Sequence, residues 1–308
     1  MIYFILTYVL SFCFYFLLKF FNTKHSIRQT EREEGLDSHK LKSGTPTLGG
    51  IIFVLIPTCL LLIKYQSFDA IIISIAYLSF SIVGFIDDVK IIKSNKNDGL
   101  TPKKRLILEY VISFIILILC LIKGYSKKIL IMELTINLGV FFLPFMSTFM
   151  VGTANSYNLT DGIDGLSTSV TTIILTCLVS IGIILGIKEV TLAGTILIGA
   201  CLGFLIFNLH PAKVFMGDTG SLALGGAIAG IALYLKMPLL LIIIALVPII
   251  ETVSVMMQVA YYKKTGKRIF KMAPIHHHFE LCGWKEGKVV SVFSIITLIL
   301  CIIGISVI

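Results

Sequence analysis

The chain has 308 residues, 56% hydrophobic and 14% charged, with a formal net charge of +9 at pH 7 and a mean hydropathy of +0.97. That composition excludes a water-soluble globular domain, because several apolar windows of roughly 17–25 residues can each cross a bilayer as a helix. The positive balance requires no nucleic acid: it follows from the bias of basic residues toward one membrane face, with some Lys and Arg left for anionic ligands and lipid headgroups.

The expected fold is all-α and polytopic, one integral-membrane domain over residues 1–308 with ten transmembrane helices. The spans in chain order are 1–21, 48–64, 70–86, 106–123, 139–154, 166–187, 190–207, 222–236, 239–261 and 289–308. The first lacks a basic start and a small-residue cleavage site, so it reads as a retained span and not as a signal peptide. Segments 22–47, 87–105, 155–165, 208–221 and 262–288 then share one side. With Lys19 they hold 20 of the 26 Lys and Arg, against 6 on the other side. The excess makes the first side cytoplasmic and both termini external. Twelve of the 17 acids and all six histidines, His25, His39, His210, His276, His277 and His278, gather on or at that same side. An ion-coupled transporter would more often carry such groups near the midplane on broken helices. Of the seven cysteines only Cys282 lies in a polar segment, and no pair has metal-ligand or redox spacing. Disulfides are not expected.

The first cytoplasmic segment ends in Lys42-Ser43-Gly44-Thr45-Pro46-Thr47-Leu48-Gly49-Gly50. This is either a shaped turn entering the second span or a plain helix start with Thr47 as its cap. Lys42 offers a cation to phosphate or to a base. The third span runs into Asp87-Asp88 followed by Lys90. Two adjacent carboxylates at the negative end of an apolar helix are unfavourable without a compensating cation. They point about 100° apart on a helix, so they should have different roles. The stretch from Lys93 to Arg105 is polar and basic, most simply a solvated loop.

Asn155, Asn158, Asp161 and Asp164 recur every three residues, and a bend at Gly162 would bring them around one ligand. The run Val214-Phe215-Met216-Gly217-Asp218-Thr219-Gly220-Ser221 places one carboxylate in a glycine-rich loop. A helix starting near Ser221 would aim free N–H groups at an anion, so the run reads as one wall of a metal and phosphate site. Gly226 and Gly230 form a G-x-x-x-G spacing that reports close helix packing. Glu251, shortly after Pro248, should face a polar cavity or cap a broken half-helix. Finally, Pro274-Ile275-His276-His277-His278-Phe279-Glu280 has three consecutive histidines. Their side chains diverge and no spaced fourth ligand is present, so they suit hydrogen bonding to phosphate and sugar better than zinc.

Taken together, Gly44–Gly50, Asp87-Asp88, Asn158–Gly165, Val214–Ser221 and Ala273–Glu280 resemble the motif series of the polyprenyl-phosphate N-acetylhexosamine-1-phosphate transferases. The histidine run followed by Gly283-Trp284-x-Glu286 resembles the phospho-N-acetylmuramoyl-pentapeptide transferase branch of that superfamily. The match runs nearly the whole chain in order, and ten helices with external termini agree with it. The resemblance implies transfer of phospho-N-acetylmuramoyl-pentapeptide from UDP-MurNAc-pentapeptide to undecaprenyl phosphate, giving lipid I and UMP with Mg²⁺, at the cytoplasmic face of a bacterial inner membrane. By motif position Asp218 corresponds to the magnesium ligand, and Asp87 and Asp88 to the essential acidic pair, with His276 grouped among the catalytic residues. Lys42, Asp161, Asp164 and Phe215 correspond to nucleoside-site positions, and Thr47, Asn158, Asn208, His277 and His278 to polar residues lining the cleft. Lys90 stands one place before the family's basic residue and receives no role. Membrane lipids are the remaining partners, and a homodimer is compatible with the sequence. The nearest rival is an N-acetylglucosamine-1-phosphate transferase of the same superfamily.

Overall fold

The computed structural model describes residues 1–25, 45–64, 68–94, 99–131 and 134–308. Lys42, Ser43, Gly44 and His39 lie outside the described residues. The elements are α1 (Ile2–His25), α2 (Gly50–Lys64), α3 (Phe68–Ser94), α4 (Pro102–Ile122), a hairpin of β1 (Lys128–Ile131) and β2 (Leu134–Asn137), then α5 (Phe142–Thr160), α6 (Leu166–Ile184), α7 (Lys188–Asn208), α8 (Gly217–Leu235), α9 (Leu240–Ile244), α10 (Leu246–Thr265), α11 (Ile275–Leu281) and α12 (Glu286–Ser306). Among the described residues, seven helices are long and apolar enough to cross a membrane: α1, α3, α4, α6, α7, α8 and α12. The other expected spans are also helical. However, α2 has only 15 residues, and α5 ends in Asn155, Ser156, Asn158 and Thr160, which lower its apolarity. The span expected over 239–261 is broken at Ala245 into α9 and α10, because Pro248 has no N–H to donate back to the Ile244 carbonyl.

The bundle is organised around α8, buried along nearly its whole length. Its small residues explain this. A Cβ on Gly226 would come within 2.9 Å of the Ala76 carbonyl and of Phe80 on α3, and one on Gly225 would strike the α5 backbone at Ala154. Small side chains are how helices approach closely where no hydrophobic gradient drives them together. The two ends of α8 set the polarity of the molecule. Its C-terminal cap, Lys236, accepts a hydrogen bond from Leu130 of the hairpin, while its first turn meets Asp88 within α3, the start of α4 and the end of α5.

Three boundaries differ from the sequence expectation, and each matters to the site. Helix α3 continues to Ser94, so Asp87 and Asp88 lie within it and not at its end. Helix α4 begins at Pro102, with the Thr101 hydroxyl accepting from the Lys104 N–H, so Arg105 is helical and not in a loop. Helix α8 begins at Gly217, four residues before Ser221, so Asp218 stands on its first turn.

Candidate active site

The side chain of Asp88 shows why α3 and α8 meet as they do. Its Oδ1 accepts the Asp218 N–H at 3.0 Å, and its Oδ2 accepts the Thr219 N–H at 2.9 Å and the Thr219 hydroxyl. These are donors that the start of α8 cannot pair within its own helix, so a buried carboxylate from α3 caps α8 in trans. Gly217 makes the approach possible. Its φ of +69° is left-handed, and a Cβ there would come within 2.6 Å of Asp88 Oδ2. Asp87 points elsewhere, as adjacent helical positions must: it accepts the Leu100 N–H and faces Asp218. Lys90 does not pair with these acids; its Nζ donates to the Gly99 carbonyl at 2.7 Å and helps close the turn before α4.

Asp218 is held from two sides. Arg105 Nη1 lies 2.7 Å from its Oδ2, and Asn158 Nδ2 donates to its Oδ1 at 2.8 Å. The same guanidinium donates through Nη2 to Asn158 Oδ1 at 2.7 Å and through Nε to Glu109 Oε1 at 3.2 Å. Glu109 is fully buried and receives the Asn155 amide on its other oxygen. One cation thus ties together α4, α5 and α8. Arg105 and Glu109 were not singled out by the sequence. The available signal was a Thr-Pro helix start followed by an i, i+4 Arg–Glu pair entering an apolar run.

The expected convergence of Asn155, Asn158, Asp161 and Asp164 on one ligand does not occur. Asn155 goes to Glu109, and Asn158 goes to Arg105, Asp218 and Ser221. Asp161 caps α5. Burial, followed by the negative charges of Asp218, Asp88 and Asp164, pushes its carboxyl well above the usual range, which favours the protonated form. Asp164 turns away: its Oδ2 lies 3.0 Å from His210 Nδ1 and accepts the Ala212 N–H at 3.0 Å. Glu286 Oε2 stands 3.4 Å from the same imidazole nitrogen. Among the described residues, Asp164, His210 and Glu286 are the group of potential metal ligands whose donor atoms all lie within 4.8 Å of one another. The imidazole already bridges the two carboxylates, which makes this a clasp joining the starts of α6 and α12 to the link before α8.

Of the residues expected to line the cleft, Asn208 and Thr47 are buried. Asn208 accepts the Thr168 hydroxyl and donates to the Val214 carbonyl, bracing the lead-in to α8. The Phe215 N–H donates to the Pro46 carbonyl, and its own carbonyl accepts the Gly49 N–H, which joins the Thr47 segment to the same lead-in. The histidines diverge. His276 is fully buried, with Nδ1 2.9 Å from Glu251 Oε2, so Glu251 neither faces a cavity nor caps a half-helix; it anchors α11. His277 pairs with Glu280 at 2.7 Å, and His278 Nδ1 accepts the Lys271 N–H at 3.1 Å. The His276 ring packs so closely on Gly162 that a Cβ there would overlap it. Gly162→Ala is therefore expected to destabilise the fold by about 1–3 kcal/mol through overpacking, read as a lowered thermal midpoint. An unchanged midpoint would contradict this contact.

Whether these residues suit a divalent cation follows from the donor set. Asp87, Asp88 and Asp218 supply only carboxylate oxygens, the hard donors that Mg²⁺ takes, and the guanidinium on Asp218 shows that this carboxylate attracts a cation. The donor chemistry fits the ion, and Asp218 and Asp87 are the two carboxylates free of helix capping that would hold it.

Comparison with known proteins identifies the family. The model of glycosyl transferase family 4 matches residues 70–236, which include Asp87, Asp88, Arg105, Asn158 and Asp218. The phospho-N-acetylmuramoyl-pentapeptide-transferase of Clostridium botulinum (strain Eklund 17B / Type B) is 50% identical over 283 residues, covering 90% of this chain and 86% of that protein. Those of Clostridium perfringens (strain 13 / Type A) and Clostridium kluyveri (strain NBRC 12016) are 49% and 48% identical, covering 90% and 91% of this chain and 88% and 90% of theirs. Identity at this level across almost the whole of both chains, with the motif residues gathered at one end of a helical bundle, means that the chain belongs to the phospho-N-acetylmuramoyl-pentapeptide transferase family, within glycosyl transferase family 4.

Proposed function

We propose that the chain transfers phospho-N-acetylmuramoyl-pentapeptide from UDP-MurNAc-pentapeptide to undecaprenyl phosphate, releasing UMP and forming lipid I for peptidoglycan synthesis. The observation that carries the reading is the meeting of Asp87, Asp88 and Asp218 with Arg105 and Asn158 at the first turn of α8. A phosphate oxygen of the acceptor attacks the sugar-linked phosphorus of the donor pyrophosphate, and the bond to the UMP oxygen breaks. Mg²⁺, when bound, supplies charge neutralisation for the phosphates and a Lewis acid for the leaving oxygen. Arg105 has the charge and planar fork to hold a phosphate oxygen in line. Asp88 is spent on capping α8, so Asp87 is the member of the pair with capacity left to hold the proton of the attacking phosphate. Asp161, at the end of α5, contacts the nucleobase in this reading. Lys42 and Phe215 complete the nucleoside contacts in this reading, and His277 and His278 reach the pyrophosphate or sugar.

The decisive measurement is UMP release by purified protein in detergent with undecaprenyl phosphate and either donor. Efficient release from UDP-MurNAc-pentapeptide and none from UDP-N-acetylglucosamine is expected; the reverse would favour the rival transferase. The ten-span topology, with external termini and the active site on the cytoplasmic face, belongs to the same proposal and rests on the charge bias. A reporter fused at Ile308 should signal outside the cytoplasm, and a cytoplasmic signal would overturn that topology.

A further inference from the structure

The turn between α10 and α11 carries a charge pattern that the proposed reaction does not use. From Thr252 to Phe279 the chain has no acidic residue, while Lys263, Lys264, Lys267, Arg268 and Lys271 fall within nine positions. All five are exposed, and none pairs with a carboxylate among the described residues. Exposed apolar side chains flank them: Met256, Met257, Tyr261, Tyr262 and Ile269. Cations without a carboxylate partner, beside exposed tyrosines at the end of an apolar helix face, are the complement of an anionic bilayer surface, where each basic residue adds attraction and each tyrosine seats at the headgroup level.

We propose that this turn is a docking surface for the anionic glycerophospholipid headgroups of the surrounding bilayer, and that its occupancy is passed to the histidine helix α11. The transmission path is short. The turn is folded back by Gln258, whose Oε1 accepts the Ile269 and Phe270 N–H groups at 2.9 and 3.0 Å. It is then joined to α11 twice, by the Lys271 N–H to His278 Nδ1 and by Lys271 Nζ to the Leu281 carbonyl at 2.9 Å. A headgroup that orders the turn orders these two bonds as well. The five cations act together: a single lysine at a bilayer surface is worth little, whereas a cluster of this size binds anionic lipid selectively.

The test uses the full chain and its only tryptophan, Trp284, whose ring packs at a tilt against Phe279 of α11, centroids 4.8 Å apart, and so reports on that helix. Phosphatidylcholine vesicles with and without phosphatidylglycerol, added to protein in neutral detergent, are compared by Trp284 fluorescence and thermal midpoint. Phosphatidylglycerol should shift both and phosphatidylcholine alone neither, with the response fading at high salt. Lys263→Gln/Lys264→Gln/Lys267→Gln/Arg268→Gln should weaken the phosphatidylglycerol response at least about a hundredfold. Lys127→Gln/Lys128→Gln, at the hairpin end, should leave it intact. Equal responses to the two lipids, a full response in the fourfold variant, or displacement by inorganic phosphate or UMP at matched ionic strength would each overturn the proposal. None of these readouts depends on turnover.

Discussion

Asp218→Asn is expected to lower UMP release by about a hundred- to a thousandfold while the bundle stays folded. The exchange keeps the shape of the side chain and removes its charge, at a position whose carboxylate is one-quarter exposed. The stability cost should be about 1–2 kcal/mol, the worth of one charge-assisted bond to Arg105, which retains Glu109 and Asn158 as partners. The catalytic cost should be larger, because the lost charge is the one carboxylate here bound neither to helix capping nor to a loop N–H. Turnover measured across a Mg²⁺ titration, beside the thermal midpoint, separates the two effects. Near-normal turnover at limiting Mg²⁺ would remove Asp218 from the metal site.

Much of this arrangement is legible in the sequence, for identifiable reasons. Apolar runs mark the helices, because burial in lipid or in the bundle requires continuous hydrophobic faces. The spacing of Gly226 and Gly230 marks a close helix contact, and that contact is the one α8 makes with α3. Asp87 and Asp88 are expected to differ in role, and the structure gives them different partners, because adjacent helical side chains diverge. Helix ends are less legible. The apolar run of α3 is interrupted at Asp87-Asp88, yet the helix continues to Ser94, because Val89, Ile91 and Ile92 extend it and Asp88 is paired with the start of α8. Long-range polar pairing is illegible. Nothing local in Glu251 points to His276, 25 positions away, or in Asp164 to Glu286, 122 positions away. Arg105 is hidden for a related reason: in a basic stretch with Lys103 and Lys104, only the fold reveals which cation faces inward.

Arg105 therefore carries the second large effect. In Arg105→Met the fully buried Glu109 keeps the Asn155 amide but loses its cation among the described residues, and breaking a buried pair from one side costs about 3–5 kcal/mol. Adding Glu109→Gln removes the stranded charge, so the double variant should recover most of the lost thermal midpoint. Its turnover should not recover, because the group missing from the site is the guanidinium itself. Arg105→Lys restores a charge but not the planar fork that reaches Glu109, Asp218 and Asn158 together, so it should fall between wild type and Arg105→Met in both measurements. The comparison separates a structural strut from a group that acts on the phosphates. If the double variant regained both its midpoint and wild-type UMP release, Arg105 would be only the strut, and neutralisation of phosphate charge would have to come from elsewhere in the site.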